Sequence, residues 1–281
     1  MNKFFFLLPL YNDWESFALI CGKINNELKK LEKVGEIFVV NDNSSVKPAV
    51  LPNFTNIQDI KILNLNENLG SQKAISIGLQ YLKKMNKTAI ITILDSDGED
   101  DVTKIPEMIE AAENNQDKVI VSSRTKRQEN FFFKILYFSH KLLTFIFTLN
   151  WISYGNYSSF HSNQLKKILT NKNSWLALSA CIAKNSEIIK IKAERKKRLI
   201  GTSKLSFKGL IFHSLRVNAV FILRSLFISL TYISILIFLI KFGFQSMIYI
   251  ILFIILYNLL LLITLISNNQ KKFSFFENYI I

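Results

Sequence analysis

The sequence has 281 residues, of which 49% are hydrophobic and 24 are phenylalanine, and it carries a formal net charge of +14. Its two cysteines, Cys21 and Cys181, are too few for a disulfide framework or a cysteine-based metal site, and they fit a reducing compartment. Residues 217–281 contain four basic residues against one acidic residue, which leaves a net charge of +11 on residues 1–216. A basic body joined to an apolar C-terminal region predicts a membrane surface as the partner, with nucleic acid as the competing interpretation of the charge.

Strands alternate with helices along the first 122 residues. The apolar stretch 4–8 is too short for a signal peptide, and no cleavage site of small residues follows it, so we predict that it is the first strand. The other predicted strands are 37–40, 60–63, 89–94 and 119–122, and the predicted helices are 13–33, 71–85 and 103–114. This alternation predicts a parallel, doubly wound α/β sheet, in which ligands bind beyond the carboxyl ends of the strands.

Acidic residues follow the most apolar of these strands. Asp95, Asp97 and Glu99 come directly after the run 90–94. Carboxylates that converge on one point repel one another unless a cation joins them, and Mg²⁺ is commonly held by one or two carboxylates together with substrate phosphates. The cluster therefore suggests a metal-bridged nucleotide diphosphate site. The alternative is a solvated acidic loop in which Asp101 caps the next helix.

A basic run at 194–204 precedes the apolar C-terminal region. One interpretation is a juxtamembrane anchor, which attracts anionic lipid by about 1 kcal/mol per basic residue. A second is a patch for nucleic acid. A third is a loop that closes over phosphates, with Arg198, Ser203 and Lys204 as the binding groups and Gly201 as the flexible point. Arg124 and Arg127 follow the strand 119–122 and add cations at the same end of the sheet.

The segment 131–151 is predicted to be an amphipathic helix. Its polar residues recur at helical spacing and form one stripe on an otherwise apolar helix: Lys134, Tyr137, Lys141, Thr144 and Thr148. We expect this helix to lie in the membrane interface with its lysines towards phosphates, the alternative being a core helix with a solvated stripe. A second interfacial candidate is 205–216.

Two apolar stretches near the C-terminal end, 217–240 and 244–266, are each long enough to cross a bilayer, which takes about 20 residues. They predict a transmembrane hairpin, which makes a nucleic acid partner improbable. The basic body and Lys271 and Lys272 flank its open ends, so the positive-inside rule places both termini and the basic body on the cytoplasmic face. The predicted divisions are a core at 1–128, the remainder of the same domain at 129–216, and the hairpin with a short tail at 217–281.

The polar motifs together resemble a known family. The segments that carry the resemblance are 8–13, 39–44, 68–74, 95–100 with 105–109, 122–124, and Arg198-x-x-Gly201-x-Ser203-Lys204 followed by two apolar helices. Their order and spacing resemble the inverting GT-A glycosyltransferases of family two. Within that family they resemble the polyprenyl-phosphate glycosyltransferases, the group that contains dolichol-phosphate mannose synthase and its bacterial undecaprenyl-phosphate relatives.

The resemblance implies a GT-A, Rossmann-like domain and a role for each matching residue. It implies Asp95, Asp97, Arg124 and Arg198 as catalytic residues and Asp97 and Glu99 as ligands of Mg²⁺ or Mn²⁺. It implies lipid-phosphate binding by Arg124, Arg127 and Arg198. It implies nucleotide-sugar binding by Pro9, Tyr11, Asp13, Asp42, Asn68, Gly70, Ala74, Asp95, Ser203 and Lys204.

The function implied by the resemblance is transfer of a hexose from a UDP- or GDP-sugar onto polyprenyl phosphate, with inversion, for cell-surface glycan synthesis. The implied partners are the nucleotide sugar, the polyprenyl phosphate and the lipid bilayer, without nucleic acid. A homo-oligomer is compatible with the sequence, which has no feature that sets the oligomeric state. The alternatives are a membrane glycosyltransferase with a soluble or lipid-diphosphate-linked acceptor, and a non-catalytic membrane adaptor.

Overall fold

The computed structural model describes residues 3–48, 50–124, 131–201, 207–268 and 270–280. The chain divides into two compact units. We call them the sheet unit (Met1–Glu129, Ser153–Lys204 and Lys271–Ile281) and the helical unit (Asn130–Ile152 and Leu205–Gln270). The predicted divisions at 128 and 216 remain a prediction. Within the helical unit, the helix that begins at residue 131 packs with the two apolar helices near the C-terminal end.

Through the first third of the chain the strands and helices follow the predicted order, in which the second and third strands succeed each other without a helix between them. In chain order the strands and α-helices are β1 (Lys3–Leu10), α1 (Trp14–Lys30), β2 (Gly35–Asn41), β3 (Ile57–Asn64), α2 (Ser71–Met85), β4 (Ala89–Ile93), α3 (Ile105–Asn114), β5 (Lys118–Arg124), α4 (Phe131–Thr148), β6 (Tyr154–His161), α5 (Leu165–Ile168), α6 (Leu178–Asn185), β7 (Glu187–Ala193), α7 (Phe207–Ala219), α8 (Ile222–Lys241) and α9 (Met247–Ser267).

Seven strands within the described ranges form one sheet in the order β3-β2-β1-β4-β6-β5-β7. The pairs β1–β2, β1–β4, β2–β3 and β5–β7 are parallel, whereas β6 is antiparallel to both β4 and β5. Six strands therefore point the same way, and only β6 is reversed. Residues 4–10 of β1 are all buried, since helices cover both faces of the sheet. This mostly parallel α/β sheet confirms the predicted fold class.

The sequence did not predict β6 and β7. β6 reads Tyr-Gly-Asn-Tyr-Ser-Ser-Phe-His and lacks apolar alternation, yet Ser158 and Ser159 are fully buried. The Ser159 hydroxyl lies 2.9 Å from the Thr92 hydroxyl on β4, so the two buried polar groups satisfy each other across the strand pair. β7 does alternate apolar and charged residues, with Ile189 and Ile191 beside Lys190 and Lys192, and that pattern was available in the sequence.

The helical unit corrects the predicted polar stripe of α4. Thr144 and Thr148 are buried, and their hydroxyls donate to the carbonyl oxygens of residues 140 and 144 at 2.9 and 2.6 Å. Hydroxyls that bond to the preceding turn in this way no longer need water. The exposed residues of this segment are mostly apolar: Ile135, Phe138, Leu142, Phe145 and Leu149, with Ser139 among them. An interfacial position for the helix remains a prediction, with apolar side chains rather than threonines on its open face.

Helices α8 and α9 have 20 and 21 residues and mean hydropathies of 2.1 and 2.8, so both are long and apolar enough to cross a membrane. The first begins later than predicted. Residues 217–219 are buried and form the end of α7. Residues 220–221 are not helical, and α8 begins at Ile222. The sequence did not reveal where α7 ends, because residues 217–221 are all apolar except Asn218. Its side-chain amide donates to the carbonyl oxygen of Ser214 at 2.9 Å.

A buried polar group joins α8 to α9. The side-chain nitrogen Nδ2 of Asn258 donates to the Ser229 hydroxyl at 2.8 Å, and the Ser225 hydroxyl donates to the side-chain oxygen Oδ1 of Asn258 at 3.2 Å. All three side chains are buried among apolar neighbours. Hydrogen bonds between apolar helices favour one partner and one register, which makes Asn258 the residue that aligns the hairpin.

We expect Asn258→Leu to destabilise the hairpin by about 1 kcal/mol, because two inter-helix hydrogen bonds are lost and the serine hydroxyls can only partly replace them. Unfolding of the purified chain by a denaturing detergent measures this change. Thr264→Val is the matched control, since Thr264 is half-buried and its hydroxyl donates to the carbonyl oxygen of Leu260, in the preceding turn of its own helix. Equal destabilisation by both substitutions would contradict the assignment.

After α9 the chain returns to the sheet unit. The run Gln270–Tyr279 is 3-10 helix, and Phe273 is buried with its ring 6.0 Å from that of Trp175. The Asn66 backbone N–H donates to the Tyr279 carbonyl at 3.0 Å. The tail that follows the predicted hairpin is therefore packed beside the loop after β3.

Candidate active site

The loops that follow the parallel strands are tied together at the carboxyl edge of the sheet. The turn after β1 bonds to the turn after β2, because the side-chain oxygen Oδ1 of Asn12 accepts the backbone N–H of Ser45 at 2.8 Å and the backbone N–H of Asn12 donates to the Ser44 hydroxyl at 2.9 Å. Asn12 has a φ of +55°, a conformation that asparagine tolerates better than most residues. The sequence prediction used its neighbours Tyr11 and Asp13 and missed this role for Asn12.

Arg198 lies between two of the predicted site acids. Its guanidinium pairs with Asp13 and also reaches the Asp97 carboxylate, with Nη1 3.4 Å from Oδ2. Its Nε donates to the Ile200 carbonyl at 2.9 Å, and its side chain is 9% exposed. The fork of the guanidinium thus joins a residue after β1 to a residue after β4, which the sequence prediction placed at the same edge without predicting their pairing.

The segment Arg195–Ile200 covers the acidic loop after β4. Its backbone donates from Lys196 to the Glu99 carbonyl at 2.8 Å and from Leu199 to the Asp97 carbonyl at 3.0 Å. The Arg195 guanidinium pairs with the Glu99 carboxylate. Arg195 belongs to the basic run that the sequence showed, but nothing in that run distinguishes Arg195 from its basic neighbours.

Gly98 makes this cover possible. Its φ is +83°, and a Cβ atom at this position would lie 2.4 Å from Cγ of Leu199. Leu199 packs against the core cluster beneath the loop. Any larger residue at position 98 would push Leu199 and the neighbouring Arg198 away from the acids.

Asp42 holds the loop before α2. Its two carboxylate oxygens accept the backbone N–H groups of Leu69 and Gly70 at 2.7 and 2.8 Å. Burial raises the pKa of the Asp42 carboxyl above its ordinary value, and these two hydrogen bonds and Lys73 act in the opposite direction. Asp42 therefore shapes the loop in this structure, whereas its predicted contact with the nucleotide remains a prediction.

The other predicted nucleotide-sugar residues differ in accessibility. Tyr11 and Asn68 are exposed, while Pro9 and Ala74 are buried within β1 and α2. Arg124 is the last residue of β5, where it pairs with Ala193. Three predicted residues lie outside the described ranges: Arg127, Ser203 and Lys204.

Electrostatics distinguish Asp97 within the acidic loop. Burial raises the pKa of its carboxyl. The hydrogen bond from the Glu99 N–H, together with Arg198 and Arg195, lowers it, whereas the Glu99 charge raises it further. A carboxylate that has lost hydration in this way gains strongly from a nearby cation. In the present structure Arg198 supplies part of that positive charge.

The sequence profile described as "Glycosyl transferase family 2" matches residues 6–179, a span that runs from within β1 through β6 and includes all the acids described above. The chain belongs to glycosyl transferase family 2. The predicted family is confirmed, and with it the prediction that the protein is an enzyme, a glycosyltransferase. The match ends before Arg195 and Arg198, so the segment that covers the acids lies beyond the family profile.

Among curated relatives, the undecaprenyl-phosphate 4-deoxy-4-formamido-L-arabinose transferase of Proteus mirabilis is 31% identical over 137 residues. The match spans 48% of this chain and only 40% of the relative's length. A relative with the same name in Photorhabdus laumondii is also 31% identical, over 48% of this chain and 41% of its own length. The similarity thus covers less than half of either protein.

A solved structure shows the same fold. Mannosyl-3-phosphoglycerate synthase from Rubrobacter xylanophilus superposes with a TM-score of 0.54 at 12% identity, covering 78% of this chain and 72% of that chain. The likeness supports the GT-A fold and nothing further, because the identity is low.

The donor groups at the site fit a divalent cation held mainly by substrate. Within the described ranges there is no group of three or more His, Cys, Asp or Glu side chains arranged to hold a metal. Asp97 offers a desolvated carboxylate, and Glu99 is paired with Arg195 in this state. One protein carboxylate is enough for Mg²⁺ or Mn²⁺ when the oxygens of a diphosphate complete the coordination. The residues therefore fit the predicted metal through Asp97, with Glu99 available only if it leaves Arg195.

Proposed function

We propose that this enzyme transfers a hexose from a UDP- or GDP-sugar onto a polyprenyl phosphate, with undecaprenyl phosphate as the acceptor and with inversion at the anomeric carbon. The observation that carries the proposal is the Asp13–Arg198–Asp97 arrangement at the carboxyl edge of a family 2 sheet. It puts a carboxylate suited to a metal beside a guanidinium suited to phosphate.

Two further observations support the lipid acceptor. The two curated relatives described above are each named undecaprenyl-phosphate 4-deoxy-4-formamido-L-arabinose transferase. The chain also contains two helices of membrane-spanning length, and it leaves the sheet unit at residue 204 and re-enters it at 271, around those helices. An even number of crossings would keep both connections on one side of a bilayer. The basic residues near them favour the cytoplasmic face of a bacterial inner membrane.

The proposed chemistry places modest demands on the protein. A phosphate monoester is anionic near neutral pH, because its second pKa is about 6. The acceptor phosphate therefore needs no strong base, and the enzyme mainly aligns it for attack on the anomeric carbon. A bound Mg²⁺ or Mn²⁺ would offset the charge that develops on the departing nucleoside diphosphate. We assign Asp97 to hold that ion, Asp95 to contact the donor sugar, and Arg198 to bind the phosphates.

A transfer assay on the detergent-solubilised chain tests the proposal. A panel of radiolabelled UDP- and GDP-sugars is supplied with undecaprenyl phosphate and Mg²⁺ or Mn²⁺, and EDTA is added to a parallel set. We expect label in the lipid phase for one donor, only with metal and not when undecaprenol without phosphate replaces the acceptor. A further set replaces undecaprenyl phosphate with a soluble or a lipid-diphosphate-linked acceptor. Metal-dependent release of nucleoside diphosphate in that set, without lipid label in the first, would contradict the proposal.

A further inference from the structure

Three side-chain amide and carboxylate groups form a chain of hydrogen bonds that ends at Asp95. The Leu178 backbone N–H donates to Gln72 Oε1 at 2.8 Å. Gln72 Nε2 donates to Asn156 Oδ1 at 2.9 Å, and Asn156 Nδ2 donates to Asp95 Oδ1 at 3.2 Å. Gln72 is 8% exposed and Asn156 is half-buried. Neither residue belongs to the predicted site.

The register of the sheet explains why Asn156 faces Asp95. β6 runs antiparallel to β4 with Ile93 opposite Ser158. Continuing that register two residues further places Asp95 opposite Asn156, just beyond the end of β4. The single reversed strand of the sheet therefore begins at the carboxyl edge and presents its second residue after Tyr154 to the acidic loop.

The direction of these hydrogen bonds is fixed at both ends. The Leu178 N–H, in the first turn of α6, can only donate, so Gln72 must turn its carbonyl oxygen to it and its NH₂ group to Asn156. Asn156 must then accept through its own carbonyl oxygen and present its NH₂ group to Asp95. An ionised carboxylate accepts only, so every group in the chain is compatible with its neighbours.

We propose that Asn156 and Gln72 are positioning residues that fix the Asp95 carboxylate for hydrogen bonding to hydroxyl or amide donors of the donor sugar. This inference rests on the proposed function, in which Asp95 contacts the sugar of the nucleotide sugar. Asn156 acts on Asp95 directly, and Gln72 acts through Asn156 by setting which way its amide points.

The test compares binding of a nucleotide sugar with binding of the nucleoside diphosphate alone, on the full chain in detergent with Mn²⁺ and without acceptor. The probes are UDP-glucose and UDP, or GDP-mannose and GDP if the wild-type chain binds those. We expect Asn156→Asp to weaken binding of the nucleotide sugar roughly tenfold or more, because a charged group loses its hydrogen-bond donor and gains a like charge. Binding of UDP should change less than about twofold, which also shows that the variant is folded.

Two comparisons separate positioning from packing. Aspartate has the shape of asparagine and alanine does not, so a packing role predicts that Asn156→Ala is worse than Asn156→Asp, whereas positioning predicts the reverse. Asn163→Asp is the matched control, since Asn163 is exposed beyond the far end of β6 and its side-chain oxygen still accepts from Gln164 as a carboxylate. We expect the control to bind both probes as the wild type does.

Gln72→Glu tests the relay itself. Glutamate still accepts from the Leu178 N–H but cannot donate to Asn156, so the Asn156 amide turns its oxygen towards Asp95. We expect weaker binding of the nucleotide sugar in the wild-type background and no further loss when Gln72→Glu is combined with Asn156→Ala.

Three outcomes would each overturn the inference. In the first, Gln72→Glu weakens binding of the nucleotide sugar equally in the wild-type and Asn156→Ala backgrounds. In the others, Asn156→Asp weakens UDP binding as much as nucleotide-sugar binding, or it weakens nucleotide-sugar binding less than Asn156→Ala does. Because no acceptor is present, a chain that passes these tests yet transfers nothing to undecaprenyl phosphate would contradict the proposed function alone. A wild-type chain that binds neither nucleotide sugar would overturn both.

Discussion

Replacing Asp97 with asparagine is expected to lower the rate of sugar transfer by about 10³-fold, an effect typical of removing a group that stabilises charge in the transition state. Asparagine keeps the shape of the side chain but loses the charge that attracts both Arg198 and the predicted metal. The same transfer assay measures the loss, and a shift of the Mn²⁺ concentration needed for half-maximal rate measures the metal role.

The fold should tolerate this change. Burial raises the pKa of Asp97, so keeping it ionised at neutral pH costs free energy of folding, and the asparagine variant should melt at the same or a higher temperature. Asp117→Asn is the matched control, because Asp117 is exposed in the turn between α3 and β5. If Asp97→Asn retained more than about a tenth of the wild-type rate, the assignment of Asp97 to the metal would be abandoned.

Arg198→Met is expected to lower transfer by about 10²- to 10³-fold, because the substitution removes the one described cation that contacts both Asp13 and Asp97. Arg198→Lys should recover only part of the rate, since an ammonium group on a flexible stem cannot replace a planar fork that reaches two carboxylates. Steady-state rates with donor and acceptor varied separately show which substrate each variant handles poorly.

Lys197→Met provides the control for Arg198, because it removes one positive charge from the same basic run at an exposed position. If the run served only as an anchor for anionic lipid, both substitutions would reduce membrane binding and transfer to a similar extent. If Arg198 acts in the site, Lys197→Met should retain most of the activity. Similar losses of transfer activity from the two substitutions would support the interpretation of the basic run as an anchor for anionic lipid.

The sequence predicted the elements whose pattern is simple. β1 to β4 and the helices α1 and α2 lie close to their predicted positions, and the structure places predicted residues such as Asp13, Asp97 and Arg198 together at one edge. Hydrophobic periodicity is sufficient for elements buried on one face or on both.

What the sequence could not show depends on partners that are distant along the chain. β6 was missed because its two buried serines have hydrogen-bond partners inside the protein: Ser159 bonds to the Thr92 hydroxyl, and Ser158 donates to the backbone carbonyl oxygen of Asn156. The prediction of a polar stripe on α4 was wrong for Thr144 and Thr148, which are buried because their hydroxyls bond to the preceding turn. The pairing of Arg195 with Glu99 and the relay through Gln72 join residues about 80 to 100 positions apart, and composition does not distinguish them from their neighbours.

The contacts that Phe273 and Tyr279 make within the sheet unit have a consequence for biosynthesis. The loop after β3 receives its contact from Tyr279 only after the ribosome has made both long apolar helices. Domains generally fold as their residues emerge, from the N-terminal end onwards. Here the sheet can form early, but the loop after β3 lacks its contact with Tyr279 until both apolar helices have left the ribosome. We therefore expect membrane insertion and completion of the enzyme to be linked in time, so that chains stalled within α9 would carry a formed sheet with a loosely held β3–α2 loop.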